Sequence, residues 1–312
     1  MKIKPLLFLI AFLLGIFKCV SQQDSQYTQY LYNTVNYNPA YAGNRGVVTV
    51  FGLHRAQWVG LAGAPETSVF SINAPIHEKN IGLGLSFVAD KVGPSTENNI
   101  SIDFAYTLPM NDDFNLSFGI KGALSELNID YTKLHVKNET DIYFQNNINT
   151  FIPNVGVGFY LFSDQLFAGV SVPNILEANY YDDNDPSVIA TKRSTFYFIG
   201  GYVFDWNNDI KMKPSLIGKM VNGAPFQLDV STNVQFYDNF VIGASWRWSA
   251  AISGMVGFQL TNNWFIGYAY DADTTSLTNY NSGSHEIFLR YDFVSTKRRI
   301  SNPHRLKCFC AE

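Results

Sequence analysis

Residues 100–108 read Ile-Ser-Ile-Asp-Phe-Ala-Tyr-Thr-Leu, with a large apolar side chain at every second position. Residues 226–236 repeat the pattern as Phe-Gln-Leu-Asp-Val-Ser-Thr-Asn-Val-Gln-Phe, and residues 81–87 repeat it as Ile-Gly-Leu-Gly-Leu-Ser-Phe. Alternation with period 2 is typical of a β-strand whose two faces meet different surroundings. These segments therefore predict strands with one apolar face and one polar or small face.

Segments of this kind follow one another along most of the chain, and we find no convincing helix between them. Their number is about fourteen by the usual strand signals. The sequence therefore predicts an all-β protein. The predicted strands are 47–58, 67–75, 81–91, 97–109, 114–124, 151–162, 166–173, 194–206, 210–221, 225–237, 240–249, 252–261, 264–271 and 284–294.

The links between the predicted strands are sorted by length. Short links rich in Asn and Asp follow the fourth, sixth, eighth, tenth and twelfth strands. Long links follow the fifth, seventh and thirteenth strands, at 125–150, 174–193 and 272–283. Outer-membrane barrels have short periplasmic turns and long extracellular loops, and an even number of strands. The pattern predicts a transmembrane antiparallel β-barrel over 47–294, and weak alternation at 125–131 predicts that the fifth strand continues beyond the membrane.

The composition favours a membrane location. Of the 312 residues, 46% are hydrophobic and only 15% are charged, whereas about 25% are charged in soluble domains. No run after residue 20 approaches the roughly 20 consecutive apolar residues of a membrane-spanning helix. The formal charge of −4 argues against a nucleic-acid surface, which needs clustered Lys and Arg.

A soluble β-sandwich is the alternative, because its half-buried strands alternate in the same way. Two features favour the barrel: the sorting of links by length, and aromatic residues near strand ends, where a girdle meets the lipid interface. The last predicted strand also ends in Tyr291-Asp292-Phe293, which resembles the assembly signal of outer-membrane barrels. The clustered aromatic residues are Trp58, Trp206, Trp246, Trp248, Trp264, Tyr268 and Tyr270.

In such a barrel the apolar set of each strand faces lipid, and the Gly, Ser, Asn, Asp and Lys set faces the lumen. A barrel of this size lies between the side-chain-filled barrels of about eight strands and the water-filled porins of about sixteen. Its interior therefore has room for a plug or a guest segment. The candidate guest contacts in the lumen are Lys211, Lys213, Lys219, Asp229, Arg247 and Arg290; alternatively, the lysines line a solvated lumen and are neutralised by Asp229 and Asp103.

The N-terminus predicts secretion. Lys2 and Lys4 precede the apolar run 6–17, which reads as a signal peptide over residues 1–21. Cleavage after Ser21 removes three lysines and changes the formal charge from −4 to −7. A lipoprotein anchored at Cys19 and an uncleaved anchor helix are the alternatives. The residues before Cys19 are too large for a lipobox, and the run is short for a membrane span.

Residues 22–46 form a segment of unusual composition before the first strand. Five tyrosines occur within residues 27–41, and Asn-Pro and Ala-Gly pairs are typical of turns. We predict that this segment packs into the periplasmic mouth of the barrel as a plug. Its candidate plug residues are Tyr30, Tyr32, Tyr37, Asn38, Pro39 and Tyr41.

The sequence offers no catalytic or metal motif. The histidines lack metal-ligand spacing, and Ser284 and His285 are adjacent on a strand, so their side chains point to opposite faces. A calcium loop at Asp182, Asp183 and Asp185 lacks the usual Gly and distal Glu, which favours a solvated loop. Cys308 and Cys310 lie in a C-terminal periplasmic tail, 295–312, where a disulfide across one residue would be strained. We therefore expect no enzyme, cofactor or metal.

Several long ordered motifs occur along the chain. They are QYLYNTVNYNPAYAGNRG at 29–46, HRAQWVGLAGAPETSVFSINAPI at 54–76, GLGLSFVADKVGPS at 82–95, LSFGIKGALSELNIDY at 116–131, LFAGVSVPNIL at 166–176, KPSLIGKMVNGAPFQLDVS at 213–231, and GYAYD followed by NYNSGSHEIFLRYDF, ending at 293. Together these motifs resemble the PorP/SprF family of type IX secretion and gliding proteins. The resemblance covers nearly all of the chain after the signal peptide and departs from the family in the tail that ends with Cys308 and Cys310.

The resemblance implies a non-enzymatic barrel in the cell outer membrane that helps export or anchor surface proteins bearing type IX C-terminal signals. Its implied partners are type IX secretion components, a secreted protein with such a C-terminal domain and outer-membrane lipid, and no nucleic acid. Two alternatives from other classes stay open: a porin or hydrophobic-solute transporter with an N-terminal plug, and an outer-membrane enzyme, for which the residues offer no converging catalytic set.

Overall fold

A computed structural model describes residues 26–76, 80–133, 147–179 and 191–294. Its strands are β1 (Thr49–Ala56), β2 (Glu66–Ile76), β3 (Ile81–Val92), β4 (Ser95–Pro109), β5 (Asn115–Ile129), β6 (Ile148–Phe162), β7 (Leu166–Val172), β8 (Ala178–Asn179), β9 (Thr191–Lys192), β10 (Thr195–Tyr202), β11 (Phe204–Asp205), β12 (Ile210–Val221), β13 (Gln227–Phe236), β14 (Phe240–Arg247), β15 (Ala251–Gln259), β16 (Trp264–Asp273) and β17 (Ser284–Asp292).

The strands form one closed antiparallel barrel. Each barrel strand pairs with the next barrel strand along the chain, with β7 pairing with β10. β1 pairs with β17 from Thr49 opposite Asp292 to Ala56 opposite His285, which closes the sheet. β10 and the short β11 both pair with β12 and together make one barrel strand, whereas β8 and β9 pair only with each other. The barrel therefore has fourteen strands, which confirms the predicted fold class.

The two ends of the barrel differ, and we name them by their connections. At the turn end, short links join β4 to β5, β6 to β7 and the later strand pairs. At the other end, the loop end, the links between strands are 57–65, 93–94, 130–147, 173–194, 222–226, 248–250 and 274–283. The longest of them are 130–147 and 173–194. As predicted, β5 continues to Ile129. No helix in the described ranges is long and apolar enough to cross a membrane.

The outer face of the barrel carries the apolar set of each strand. On β4, Ile100, Ile102 and Phe104 are exposed while Ser101 and Asp103 are buried, as the alternation predicts. Exposed tryptophans lie near both ends. Trp206 and Trp264 are at the turn end, and Trp246 and Trp248 are at the loop end.

Some apolar residues face inward instead, which corrects the simple assignment of faces. Phe51, Leu53, Phe265 and Phe288 are buried on the lumen side of β1, β16 and β17. Alternation alone cannot distinguish lipid from an apolar partner inside the lumen. These side chains pack in one cluster with residues 27–42, so their environment is protein rather than lipid.

Several predictions concern residues outside the described ranges. These are the signal peptide 1–21, the tail 295–312 with Cys308 and Cys310, and the aspartates Asp182, Asp183 and Asp185.

Placing a charge at the middle of the β4 outer face tests which surface meets lipid. Ile102 is 63% exposed at the centre of β4. We expect Ile102→Arg to lower the free energy of unfolding in lipid vesicles by about 2–4 kcal/mol, the cost of Arg at the bilayer midplane. The control Asn98→Arg, nearer the loop end, should cost about 0–1 kcal/mol. Equal costs for the two variants would contradict the assignment of faces.

Candidate functional site in the barrel lumen

The N-terminal segment, residues 26–46, lies inside the barrel. It folds into three short 3-10 turns, Tyr30–Tyr32, Thr34–Asn36 and Pro39–Tyr41. Its side chains are among the most deeply buried in the protein, with Tyr30 and Ala40 at 0% exposure. The segment contacts strands on opposite sides of the barrel, from β13 and β16 to β5 and β6, so it crosses the lumen.

A buried ionic cluster lies near the loop end of the lumen. Arg55 on β1 reaches two carboxylates: its Nη2 lies 2.6 Å from Asp271 Oδ2, and its Nη1 lies 3.1 Å from Glu286 Oε2. Register explains part of this geometry, because Arg55 and Glu286 are directly opposite on β1 and β17. Arg247 and Asp229, opposite each other on β14 and β13, form the second pair at 2.9 Å. We call these five residues the loop-end ionic cluster.

The start of the N-terminal segment is bound by this cluster. The backbone N–H groups of Thr28 and Gln29 donate to the two carboxylate oxygens of Glu286, at 3.0 and 2.9 Å. The Thr28 hydroxyl donates to Asp271 at 2.7 Å, and the Gln26 amide donates to Asp229 at 2.9 Å. Hydrogen bonds to charged groups contribute about 1.5–3 kcal/mol each, so the cluster fixes the segment as well as joining the strands.

A second ionic contact holds the end of the segment at the turn end. Arg45 forms a two-pronged contact with Asp292 on β17, through Nε at 3.2 Å and Nη2 at 2.7 Å. Asp292 also accepts from the Thr49 hydroxyl at 2.8 Å and from Arg290 Nε at 3.0 Å. The segment is therefore held at both ends of the lumen, further from the turn-end mouth than the sequence analysis expects.

Glycines on the inner wall let the segment approach the strands at backbone distance. A Cβ added at Gly82 on β3 would lie 1.9 Å from the Ala42 carbonyl oxygen. One added at Gly119 on β5 would lie 2.1 Å from the Ala40 nitrogen. Both distances are far below van der Waals contact, so any side chain at either position would displace the segment.

The segment tyrosines pack on inward-facing aromatic rings. Tyr32 lies 5.4 Å from Phe265 and 4.6 Å from Phe288 between ring centroids. The Tyr37 ring meets Tyr197 at 5.1 Å, and Tyr41 meets Tyr160 at 5.3 Å. Such pairs contribute about 0.5–1.5 kcal/mol beyond their area burial.

Polar contacts complete the fit of the middle of the segment. The Asn38 side chain donates to the Phe159 carbonyl at 2.9 Å and accepts from the Ala40 N–H at 3.0 Å, which starts the turn at Pro39. The Tyr30 hydroxyl lies 3.1 Å from Ser231 Oγ.

The structure places the predicted lumen lysines in different settings. Lys211 lies at the turn end, 2.9 Å from Asp238. Lys213 is buried, with Nζ 5.0 Å above the Phe167 ring, and Lys219 is buried further along β12.

The two aspartates expected to neutralise these lysines each have another cation directly opposite them. Asp229 pairs with Arg247, and Asp103 pairs with Lys121 at 3.3 Å, because register sets these residues directly opposite each other. The predicted Arg290 packs 4.9 Å from the Phe265 ring centroid and binds Asp292.

Sequence reasoning missed Arg55, Asp271 and Glu286, the centre of the loop-end ionic cluster. All three occupy lumen-facing positions of strands that the sequence does predict, and all three lie within the quoted family motifs. The signal that could have identified these three residues is the presence of charged side chains at lumen-facing positions of neighbouring strands. In the described part of the chain, no group of His, Cys, Asp and Glu has the arrangement of a metal site.

Comparison with known families identifies the chain. A model described as type IX secretion system membrane protein PorP/SprF matches residues 19–291. The chain belongs to the PorP/SprF family. It is therefore an outer-membrane protein of the type IX secretion system.

The PorP/SprF chain also resembles solved outer-membrane barrels. The CymD monoaromatic hydrocarbon channel is 10% identical with a TM-score of 0.50, covering 84% of this chain and 93% of that one. The toluene transporter TbuX of Ralstonia pickettii is 11% identical with a TM-score of 0.49, covering 83% and 92%. Omp33 of Acinetobacter baumannii is 9% identical with a TM-score of 0.47, covering 79% and 98%. At 10% identity the likeness to the CymD channel shows the fold alone. No curated protein sequence matches the chain.

Removing Glu286 tests the loop-end ionic cluster. Glu286→Ala leaves the buried Arg55 with one carboxylate and removes the acceptor of the Thr28 and Gln29 N–H groups. We expect the free energy of unfolding in detergent to fall by about 3–5 kcal/mol, the cost of breaking a buried pair. The control Glu66→Ala alters an exposed carboxylate on β2 and should change stability little. A loss no larger than the control's would contradict the assigned role.

Proposed function

We propose that this barrel acts as an outer-membrane anchor that helps export or hold surface proteins bearing type IX C-terminal signals. The observation that carries the proposal is the occupied lumen: the N-terminal segment crosses it and is bound near both ends. A barrel filled in this way works through its rims rather than by conducting cargo through its interior. Membership of the PorP/SprF family supplies the secretion system in which it acts.

The loop end is the proposed contact surface for the substrate's C-terminal domain. The predicted loops 125–150, 174–193 and 272–283 correspond to the links 130–147, 173–194 and 274–283, which leave the barrel strands at this end. Loops on a rigid scaffold are where recognition residues concentrate. Two of the described links at the loop end are hydrogen-bonded to each other. The 57–65 and 274–283 links are joined by hydrogen bonds from Val59 N to Gly283 O at 2.9 Å and from Ser282 N to Val59 O at 2.8 Å.

In this proposal the N-terminal residues act as a signal peptide and the barrel itself is not an enzyme. Residues 1–21 direct secretion and are removed, so that the mature chain begins with the residues leading into the N-terminal segment. The barrel carries out no reaction and binds no cofactor. Its partners are other type IX components, a secreted protein with the matching C-terminal domain and outer-membrane lipid.

The N-terminal segment serves as a plug in this proposal, with Tyr30, Tyr32, Tyr37, Asn38, Pro39 and Tyr41 as its packing residues. We expect the full chain in planar bilayers to be closed to ions. Deleting residues 22–42 should open a conductance and lower the melting temperature, because it removes the aromatic packing and the bonds to Glu286. Unchanged conductance and melting would refute the plug, and a conducting full chain would favour a porin.

Shortening the loops tests the contact surface. We expect replacement of 134–146 or 180–190 by a short Gly-Ser link to weaken capture of purified type IX C-terminal domains from the same genome. Substituting Gly and Ser in the turn-end link 207–209 is the matched control. Undiminished capture by both loop variants would refute the surface, and equal loss in the control would show a general folding defect.

A further inference from the structure

A group of polar side chains faces outward near the loop end, where most of the barrel exterior is apolar. His54 on β1 and Ser68 on β2 are exposed, and His54 Nδ1 lies 3.0 Å from Ser68 Oγ. On the other side of β1, His285 Nδ1 lies 2.6 Å from the Tyr268 hydroxyl, and the His285 ring packs on Tyr270. We call these five residues the exterior polar group.

Register brings the two halves of this group together. His54 lies opposite Ile287, and His285 lies opposite Ala56, so the two histidines are diagonal neighbours on one face of β1 and β17. Diagonal neighbours in an antiparallel pair are about 7–8 Å apart. One small ligand group can therefore contact both imidazoles.

Hydrogen bonding sets the chemistry that the imidazoles offer. A phenol is a stronger donor than a neutral imidazole, so the Tyr268 hydroxyl donates to His285 Nδ1 and leaves the ring proton on Nε2. His54 lies 3.0 Å from the Ser68 hydroxyl, which can donate or accept; in the tautomer that carries its proton on Nε2, His54 Nδ1 accepts from Ser68. His285 then offers an Nε2–H donor, and an acceptor oxygen at His54 favours the tautomer with the same donor. A ligand rich in acceptor oxygens therefore suits both rings.

A shallow trough lies on the turn-end side of His54, toward the middle of the membrane. Its floor is Gly52, where an added Cβ would meet no atom within 4 Å. Its walls are Phe70 on β2 and Leu289 on β17, both directly opposite Gly52 and both exposed on the outer face. An apolar trough beneath a group of donors matches the order of chain and headgroup in an outer-leaflet lipid.

The charges nearby do not oppose an anion. Glu66 is the nearest outward carboxylate along β2, and it stands directly opposite Lys91 on β3. The positive charge of Lys91 offsets the negative charge of Glu66, so this carboxylate repels a nearby anion less.

We propose that the exterior polar group and the Gly52 trough form a binding site for a phosphorylated lipid of the outer leaflet. The phosphate accepts hydrogen bonds from His54 and His285, and an acyl chain lies over Gly52 between Phe70 and Leu289. The site is on the outside of the barrel, so it stands independently of the proposed plug and anchor function.

Native mass spectrometry of the full chain in detergent tests this site with two lipids that differ only in phosphate. We expect dioleoylphosphatidic acid to be retained at least about fivefold better than dioleoylglycerol, since bonds to a charged acceptor are the stronger kind. The double variant His54→Phe with His285→Phe keeps both rings and should bring that preference close to unity. Equal retention of the two lipids by the unaltered chain, or an unchanged preference in the double variant, would overturn the proposal.

A second pair of variants tests the trough. Gly52→Leu should lower retention of both lipids, because the side chain fills the floor. Gly122→Leu is the matched control, since Gly122 is also open on the exterior but has Ile102 and Val155 beside it and no histidine. Equal effects of the two variants would overturn the trough.

Bisphosphorylated lipid A added in competition identifies the source of the phosphate. Stronger retention of lipid A assigns the site to the outer-leaflet glycolipid, and stronger retention of phosphatidic acid assigns it to phospholipid. Either result upholds phosphate recognition. If neither lipid A nor phosphatidic acid displaces the other from the chain, phosphate recognition is overturned. Retention of heat-modifiable migration on gels shows that each variant is folded.

Discussion

Every backbone N–H and C=O in the hydrocarbon layer needs a partner within the protein, and the pairing of β1 with β17 meets this requirement by closing the sheet. Closure with fourteen strands creates an interior too wide for wall side chains alone to fill. The N-terminal segment fills it instead. That occupant explains the inward Phe265 and Phe288, the glycines Gly82 and Gly119, and the density of tyrosines before the first strand.

Buried charge then fixes where the segment lies. Ion pairs out of water are costly unless further hydrogen bonds complete them, and the loop-end ionic cluster has such bonds in the Thr28 and Gln29 N–H groups on Glu286. The same carboxylate binds Arg55, so strand pairing and segment binding depend on one residue. Apolar packing alone would favour burial of the segment but would not fix its position along the lumen. The hydrogen bonds to the loop-end ionic cluster fix that position.

The sequence predicts the barrel well because alternation and link length are local properties of the chain. The strand number, the continuation of β5 and the outward set on β4 follow from them. The lumen is harder to predict, since period 2 shows that two faces differ but not what each face meets. Phe51 alternates with Gly52 and therefore looks lipid-facing by pattern, yet it is buried in the lumen. Ion pairs such as Arg55 with Asp271 join residues far apart in sequence and depend on how β16, β17 and β1 come together.

Hydrogen–deuterium exchange of the full chain in lipid nanodiscs tests the occupied lumen most directly, because exchange reports the opening of each segment. Peptides covering residues 27–42 are compared with β4 as the protected reference and with the link 274–283 as the exposed one. We predict that 27–42 exchanges as slowly as β4. Exchange as fast as the 274–283 link would contradict the account, since the segment would then not be held in the lumen.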